Sequence, residues 1–130
     1  MVLRCFIVDD SRHFLSAAQA LLTREGLVVV GTASTTDEVV RRVEAARPDV
    51  VLIDVELSTG SGFDLARRIA HETSVDRSRL IMISTYAEDD LWHELTAAPV
   101  AAFLPKSRLS AAAIRAILGD TGGSVAGDSC

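Results

Sequence analysis

Lysine is almost missing from this chain. Arginine fills twelve of the thirteen basic positions, and Lys106 alone keeps an ammonium. An ammonium is a compact point charge whereas a guanidinium is a planar fork, so position 106 is marked as one where charge geometry counts. Cysteine is scarce too: Cys5 lies inside an apolar run and Cys130 is the last residue of a polar stretch. Such a pair is not expected to bridge, which fits a reducing cytoplasm, and Cys5 reads as a small buried hydrophobe. Aromatics are few, with four Phe, one Tyr and one Trp, so the core has to come from aliphatic side chains. Basic charge is not in excess either: the net charge is −5, and the doublets Arg41-Arg42 and Arg67-Arg68 fall on expected helices as solvated faces. That balance argues against nucleic-acid binding by these residues alone. No apolar run approaches the roughly 20 residues of a membrane helix, so no membrane partner is expected. Asp9 and Asp10 stand where an export signal would keep its apolar core.

What the chain does have is a set of short aliphatic runs that stop at polar residues. Asp9 and Asp10 follow residues 3–8, Asp54 follows 50–53, Ser84 follows 80–83, and Lys106 stands just past 101–104. Apart from Arg4 no charge interrupts them, as expected of strands buried on both faces. Helical stripes lie between. Phe14, Ala18, Leu21 and Leu22 follow Ser11 and end before Gly26; Val39, Val43 and Ala46 follow a Thr35-to-Glu38 capping box. Leu65, Ala66 and Ile69 follow the loop at 58–62, with Ser61 and Asp64 as a second cap. A fourth helix is expected at 88–97 behind three acids, and a fifth from a Ser110 cap to Leu118. The Gly/Ser-rich stretch 119–130 reads as a flexible tail or linker.

Five strand–helix units in 118 residues imply an α/β fold with a doubly wound parallel sheet, order 2-1-3-4-5, of the flavodoxin type. Asp54 then ends the central strand, flanked by Asp9 and Asp10 on one side and Ser84 on the other. Open parallel sheets place their sites at such strand ends. Crowded carboxylates repel one another unless a cation intervenes, and an all-oxygen site suits Mg²⁺ better than zinc. Asp54 can carry phosphate as an acyl phosphate, with Mg²⁺ and Lys106 neutralising the transferred group and the Ser84 hydroxyl donating to it. A lone Asp at a strand end is usually a turn residue, but five such residues on four strands are not explained that way. His13, His71 and His93 share no metal spacing and read as surface; Tyr86 and Trp92 read as packing or a partner surface.

The segments Phe6-Ile7-Val8-Asp9-Asp10, Arg47-Pro48-Asp49-Val50-Val51-Leu52-Ile53-Asp54, Leu80-Ile81-Met82-Ile83-Ser84 and Phe103-Leu104-Pro105-Lys106 resemble a bacterial two-component response-regulator receiver domain across residues 2–118. The resemblance implies Asp54 as phosphoacceptor for a sensor histidine kinase. It implies Mg²⁺ held by Asp10, Asp54 and the Glu56 backbone carbonyl, with Asp9 acting through water. Ser84 and Phe103 become the coupled switch, and Lys106 the partner of the phosphate. Leu27-Val28-Val29-Val30-Gly31-Thr32-Ala33-Ser34 and Leu104-Pro105-Lys106-Ser107 are most similar to the NarL/FixJ (LuxR-type) subgroup. That subgroup implies transcriptional output through a C-terminal DNA-binding domain outside this chain, and a phosphorylation-dependent homodimer. The domain itself is not expected to be an enzyme.

Three positions depart from the family pattern. Ser58 and Ser107 stand where Pro is usual, and Thr85 where a smaller residue is. A stand-alone receiver is the alternative reading of the chain. A haloacid-dehalogenase-like phosphatase would share the Asp, Ser and Lys, but wants an Asp-x-Asp motif where Asp9 and Asp10 are adjacent. A flavodoxin-like carrier would need a Gly/Thr-rich phosphate loop after the first strand, and 9–13 holds none.

Overall fold

The computed structural model describes residues 2–85 and 100–119. Five parallel strands form the central sheet: β1 (Arg4–Val8), β2 (Val28–Ala33), β3 (Val50–Asp54), β6 (Leu80–Ser84) and β7 (Ala102–Pro105), in spatial order β2-β1-β3-β6-β7. The expected order 2-1-3-4-5 is this one, because the intervening β4 (Glu56–Leu57) and β5 (Gly60–Ser61) form a separate antiparallel hairpin. β3 and β6 are buried along their whole length, as uninterrupted aliphatic runs require.

Helices cover both faces. Leu15, Ala18 and Leu22 of α1 (Arg12–Arg24) pack with Ala111 and Ile114 of α4 (Ala111–Leu118) against Cys5, Ile7, Leu52, Ile81 and Ile83. On the other face, Val39 and Val43 of α2 (Val39–Ala46) and Leu65, Ala66 and Ile69 of α3 (Gly62–Glu72) pack against Phe6, Val8, Val51, Ile53 and Met82. A fully buried aliphatic side chain contributes about 1.5–3 kcal/mol. The exposed helix pairs Arg41–Glu38, Arg67–Asp64 and Arg68–Glu72 contribute at most about 0.5 kcal/mol each. The two apolar layers therefore hold the fold, and the surface ion pairs trim it.

Two of the expected caps form, at Ser61 and Ser110, and Ser11 adds a third that the sequence reading did not name. Ser11 accepts from the Phe14 amide, Ser61 from Phe63, and Ser110 from Ala113. Glu25, at the end of α1, also accepts from the Ala111 amide at 2.7 Å, tying α1 to the start of α4 across 86 residues of sequence.

The capping box is corrected. Glu38 sits in the left-handed region at φ 63° with no side-chain cap, and α2 starts only at Val39. Its carboxylate pairs with Arg41 instead, while the Thr36 amide donates to Thr59 Oγ1 at 3.0 Å. The 58–62 stretch, expected as a plain loop, contributes Gly60 and Ser61 to the β4–β5 hairpin. The expected 88–97 helix, Tyr86, Trp92, His93 and the 120–130 stretch lie outside the described residues.

Candidate functional site

The strand ends bring Asp9, Asp10 and Asp54 together, with one oxygen from each inside 4.8 Å of the others. Their environments differ sharply. Asp9 is fully buried and Asp10 exposed, although they are neighbours in sequence. Asp9 Oδ1 accepts from the Ser11 amide at 2.8 Å, which fixes the carboxylate at the entry to α1. Asp9 Oδ2 meets Lys106 Nζ at 2.6 Å as an ion pair, yet among the described residues no donor is aligned for a hydrogen bond to this buried oxygen. Lys106 Nζ reaches Asp54 Oδ2 at 3.5 Å, and the Glu56 amide donates to Asp54 Oδ1 at 3.3 Å.

Burial pushes the Asp54 carboxyl up from 3.8 to about 6, and the negative charge of Asp9 adds to the push. Lys106 and the Glu56 amide pull the other way without cancelling it. Two buried carboxylates thus share the Lys106 ammonium, with the exposed Asp10 carboxylate beside them. The unaligned Asp9 oxygen and the raised Asp54 carboxyl suit a site that accepts a cation. All the donors are oxygens, which fits a hard cation such as Mg²⁺.

Ser84 is buried at the end of β6, paired in register with Pro105, so Lys106 begins immediately beyond it. Phe103 pairs with Met82 and packs, half-buried, on the face that carries Val8 and Ile53. Strand alternation puts Ser84 on that same face, one step beyond Met82. A cleft beside the carboxylates, lined by Asp10, Val55, Glu56, Leu57, Ser58, Gly60 and Ser61, opens the site to solvent.

Residues 5–118 match the family model for the response regulator receiver domain. The chain belongs to that family. Among its relatives, this receiver is 33% identical over 90 residues to the DNA-binding transcriptional activator DevR/DosR of Mycobacterium tuberculosis, covering 68% of this chain and 41% of that protein. It is 32% identical over 88 residues to the protein-glutamate methylesterase/protein-glutamine glutaminase of Bacillus subtilis, covering 67% of this chain and 24% of that one. The receiver thus spans less than half the length of either. In fold it superimposes on the receiver domain of NarL from Mycobacterium tuberculosis with a TM-score of 0.75 at 22% identity, covering 94% of this chain and 98% of that one. A LuxR-family regulator from Aurantimonas gives 0.74 at 21% identity, covering 98% and 90%. Family membership does not favour the phosphatase alternative.

In the receiver, Asp9, Asp10, Asp54, Glu56, Ser84 and Lys106 gather at one end of the sheet, as sequence reasoning expected. Phe103 lies one strand out, on the Ser84 side. Two residues that sequence reasoning passed over belong here. Phe14 falls in the expected helical stripe of α1, but Leu15, Ala18 and Leu22 form the buried face, and the Phe14 ring lies under the Lys106 ammonium at 4.5 Å from its centroid. Gly62 packs so closely that a Cβ would collide with the Asp54 carbonyl oxygen, and its amide donates to Val55 at 2.8 Å. The Gly60-to-Gly62 spacing was the available signal for the second. Nothing local to Phe14 announced the first.

Proposed function

We propose that Asp54 is the phosphoacceptor of this receiver and that its phosphorylation by a sensor histidine kinase switches an attached output. The observation that carries the reading is the single crevice in which Asp54, raised to about 6, faces both Asp9 and the only lysine of the chain. An Asp54 oxygen attacks the phosphorus of a phosphohistidine. A P–O bond forms, the P–N bond breaks, and the imidazole nitrogen keeps the electron pair. Asp10, Asp54 and the Glu56 carbonyl would hold Mg²⁺ directly and Asp9 through water, and the ion supplies charge neutralisation for the transferred group. Lys106 gives up part of its hold on Asp9 to pair with the new phosphate. Ser84 donates to a phosphate oxygen, and Phe103 moves into the space beside it, carrying the charge event to the β7 side of the sheet.

The output is transcriptional in this reading, through a DNA-binding segment outside the chain and a phosphorylation-dependent homodimer. The relatives DevR/DosR and YvfU of Bacillus subtilis, the latter described as a transcriptional regulatory protein, support it. Residues 1–118 are taken as the receiver and 119–130 as tail or linker, in a cytoplasmic protein. Among the described residues, no helix is long and apolar enough to cross a membrane. The domain would not be an enzyme in its own right. The test is incubation with acetyl phosphate and Mg²⁺ followed by intact mass. Wild type should gain one phosphoryl group, and Asp54→Ala or added EDTA should abolish the gain. A phosphoryl group retained in Asp54→Ala refutes the assignment.

A further inference from the structure

We infer that Phe14 is a positioning residue for phosphoryl transfer, its ring face holding the Lys106 ammonium inside the crevice; this rests on the reading of Asp54 as the phosphoacceptor. Among the described residues, three groups surround Nζ: Asp9 Oδ2 at 2.6 Å, Asp54 Oδ2 at 3.5 Å, and the Phe14 centroid at 4.5 Å. The lysine side chain is only 14% exposed, so the ring closes a side of the ammonium that water would otherwise occupy.

Phe14 is placed for this by the phase of α1. Leu15, Ala18 and Leu22 point into the core, and one residue back along the helix is a rotation of about 100° away from that stripe. The side chain therefore stands half-buried at the flank of α1 beside the site, and the Ser11 hydroxyl pins its amide at 3.2 Å.

The chemistry of the contact differs from that of the carboxylates. A ring quadrupole attracts a cation without demanding an aligned hydrogen bond. When phosphate arrives on Asp54, the ammonium has to move from Asp9 toward a new anion. A carboxylate resists that movement because it loses a short ion pair. The ring face keeps its attraction over a range of positions, so it holds the ammonium at both ends of the path. It also excludes water there, which strengthens the pull of the developing charge. An aliphatic side chain of similar volume could fill the space but would supply no quadrupole.

The lone lysine makes the test direct, because lysine-specific ¹³C labelling gives a single Cε–Hε signal. In wild type that signal should sit upfield through the ring current of Phe14. It should return toward the ordinary lysine position in Phe14→Leu and stay upfield in Phe14→Tyr. With acetyl phosphate and Mg²⁺, intact mass should show Phe14→Leu phosphorylated about 3–10-fold more slowly than wild type, the scale expected of one desolvated cation–ring contact. Phe14→Tyr should recover most of the rate, while Mg²⁺ affinity and melting temperature stay close to wild type in both. Equal rates for Phe14→Leu and wild type overturn the inference alone, as does a Phe14→Tyr protein as slow as Phe14→Leu. A wild type that gains no phosphate overturns the phosphoacceptor reading, and the positioning role falls with it.

Discussion

Replacing Asp54 with asparagine should stabilise the metal-free protein at neutral pH. The folded carboxyl titrates at about 6 against 3.8 for the ordinary group, raised first by burial and then by Asp9. Above pH 6 the charge is present in both folded and unfolded chains, and it costs more in the folded one. Two pH units correspond to about 3 kcal/mol as a ceiling. The water-open cleft lined by Asp10, Val55 and Glu56 adjoins the carboxylate, so solvent screening removes a good part of that. Asparagine also loses the attraction of Lys106, though Lys106 keeps Asp9 at 2.6 Å. A net gain of about 1 kcal/mol is expected, or roughly 3–5 °C in melting temperature for a domain of this size. The sign has a pH signature. As pH falls through 6, wild-type Asp54 takes up a proton that the unfolded chain does not bind until about 3.8, so wild-type stability rises and the gap closes. Asparagine does not titrate, so the two curves should converge near about pH 4. Adding Mg²⁺ at neutral pH should favour wild type and narrow the gap from the other side. Melting curves in EDTA across this range decide it. An Asp54→Asn protein that melts below wild type at neutral pH, or a gap that does not change with pH, would refute the reasoning.

Lys106→Met should destabilise the metal-free fold by about 2–3 kcal/mol, since it leaves buried Asp9 without its cation, and urea midpoints read the loss. Gly62→Ala should cost about 2 kcal/mol or more, because the added carbon meets backbone rather than a flexible side chain; a midpoint unchanged from wild type contradicts the packing. Cys5 is fully buried with its thiol pushed up to about 12, so in a Cys130→Ser background it should not react with a thiol reagent until the protein unfolds. Beryllofluoride with Mg²⁺ should shift the amide signals of Ser84, Phe103 and Leu104 beyond those of α2. Phe103→Ala should reduce the response at Ser84, and an undiminished response rules Phe103 out of the switch.

Much of the fold was legible because its causes are local. Residues 50–54 and 80–84 form strands buried on both faces since their aliphatic runs cannot expose either one. Ser11, Ser61 and Ser110 cap helices through bonds that reach only two or three residues along the chain. Glu38 shows the limit of such local signals: the Thr35-to-Glu38 pattern gave way to a left-handed Glu38 held by Arg41, with Thr36 bonded to Thr59.

The sequence by itself determined the layered sheet and the end of it where Asp9, Asp10, Asp54, Ser84 and Lys106 would meet. Apolar periodicity fixes the elements, and parallel right-handed crossovers put their ends on one side. Only the tertiary structure decided how those residues divide the work. In a strand apolar on both faces, alternation cannot say whether Asp9 or Asp10 turns inward, and the packing of β1 between β2 and β3 chose Asp9. The reach of Lys106 to both Asp9 and Asp54 follows from the β6–β7 register, and the Phe14 ring beneath it follows from the phase of α1 against the sheet. Those are distances across the fold, between groups up to 97 residues apart in the chain, and no local pattern encodes them.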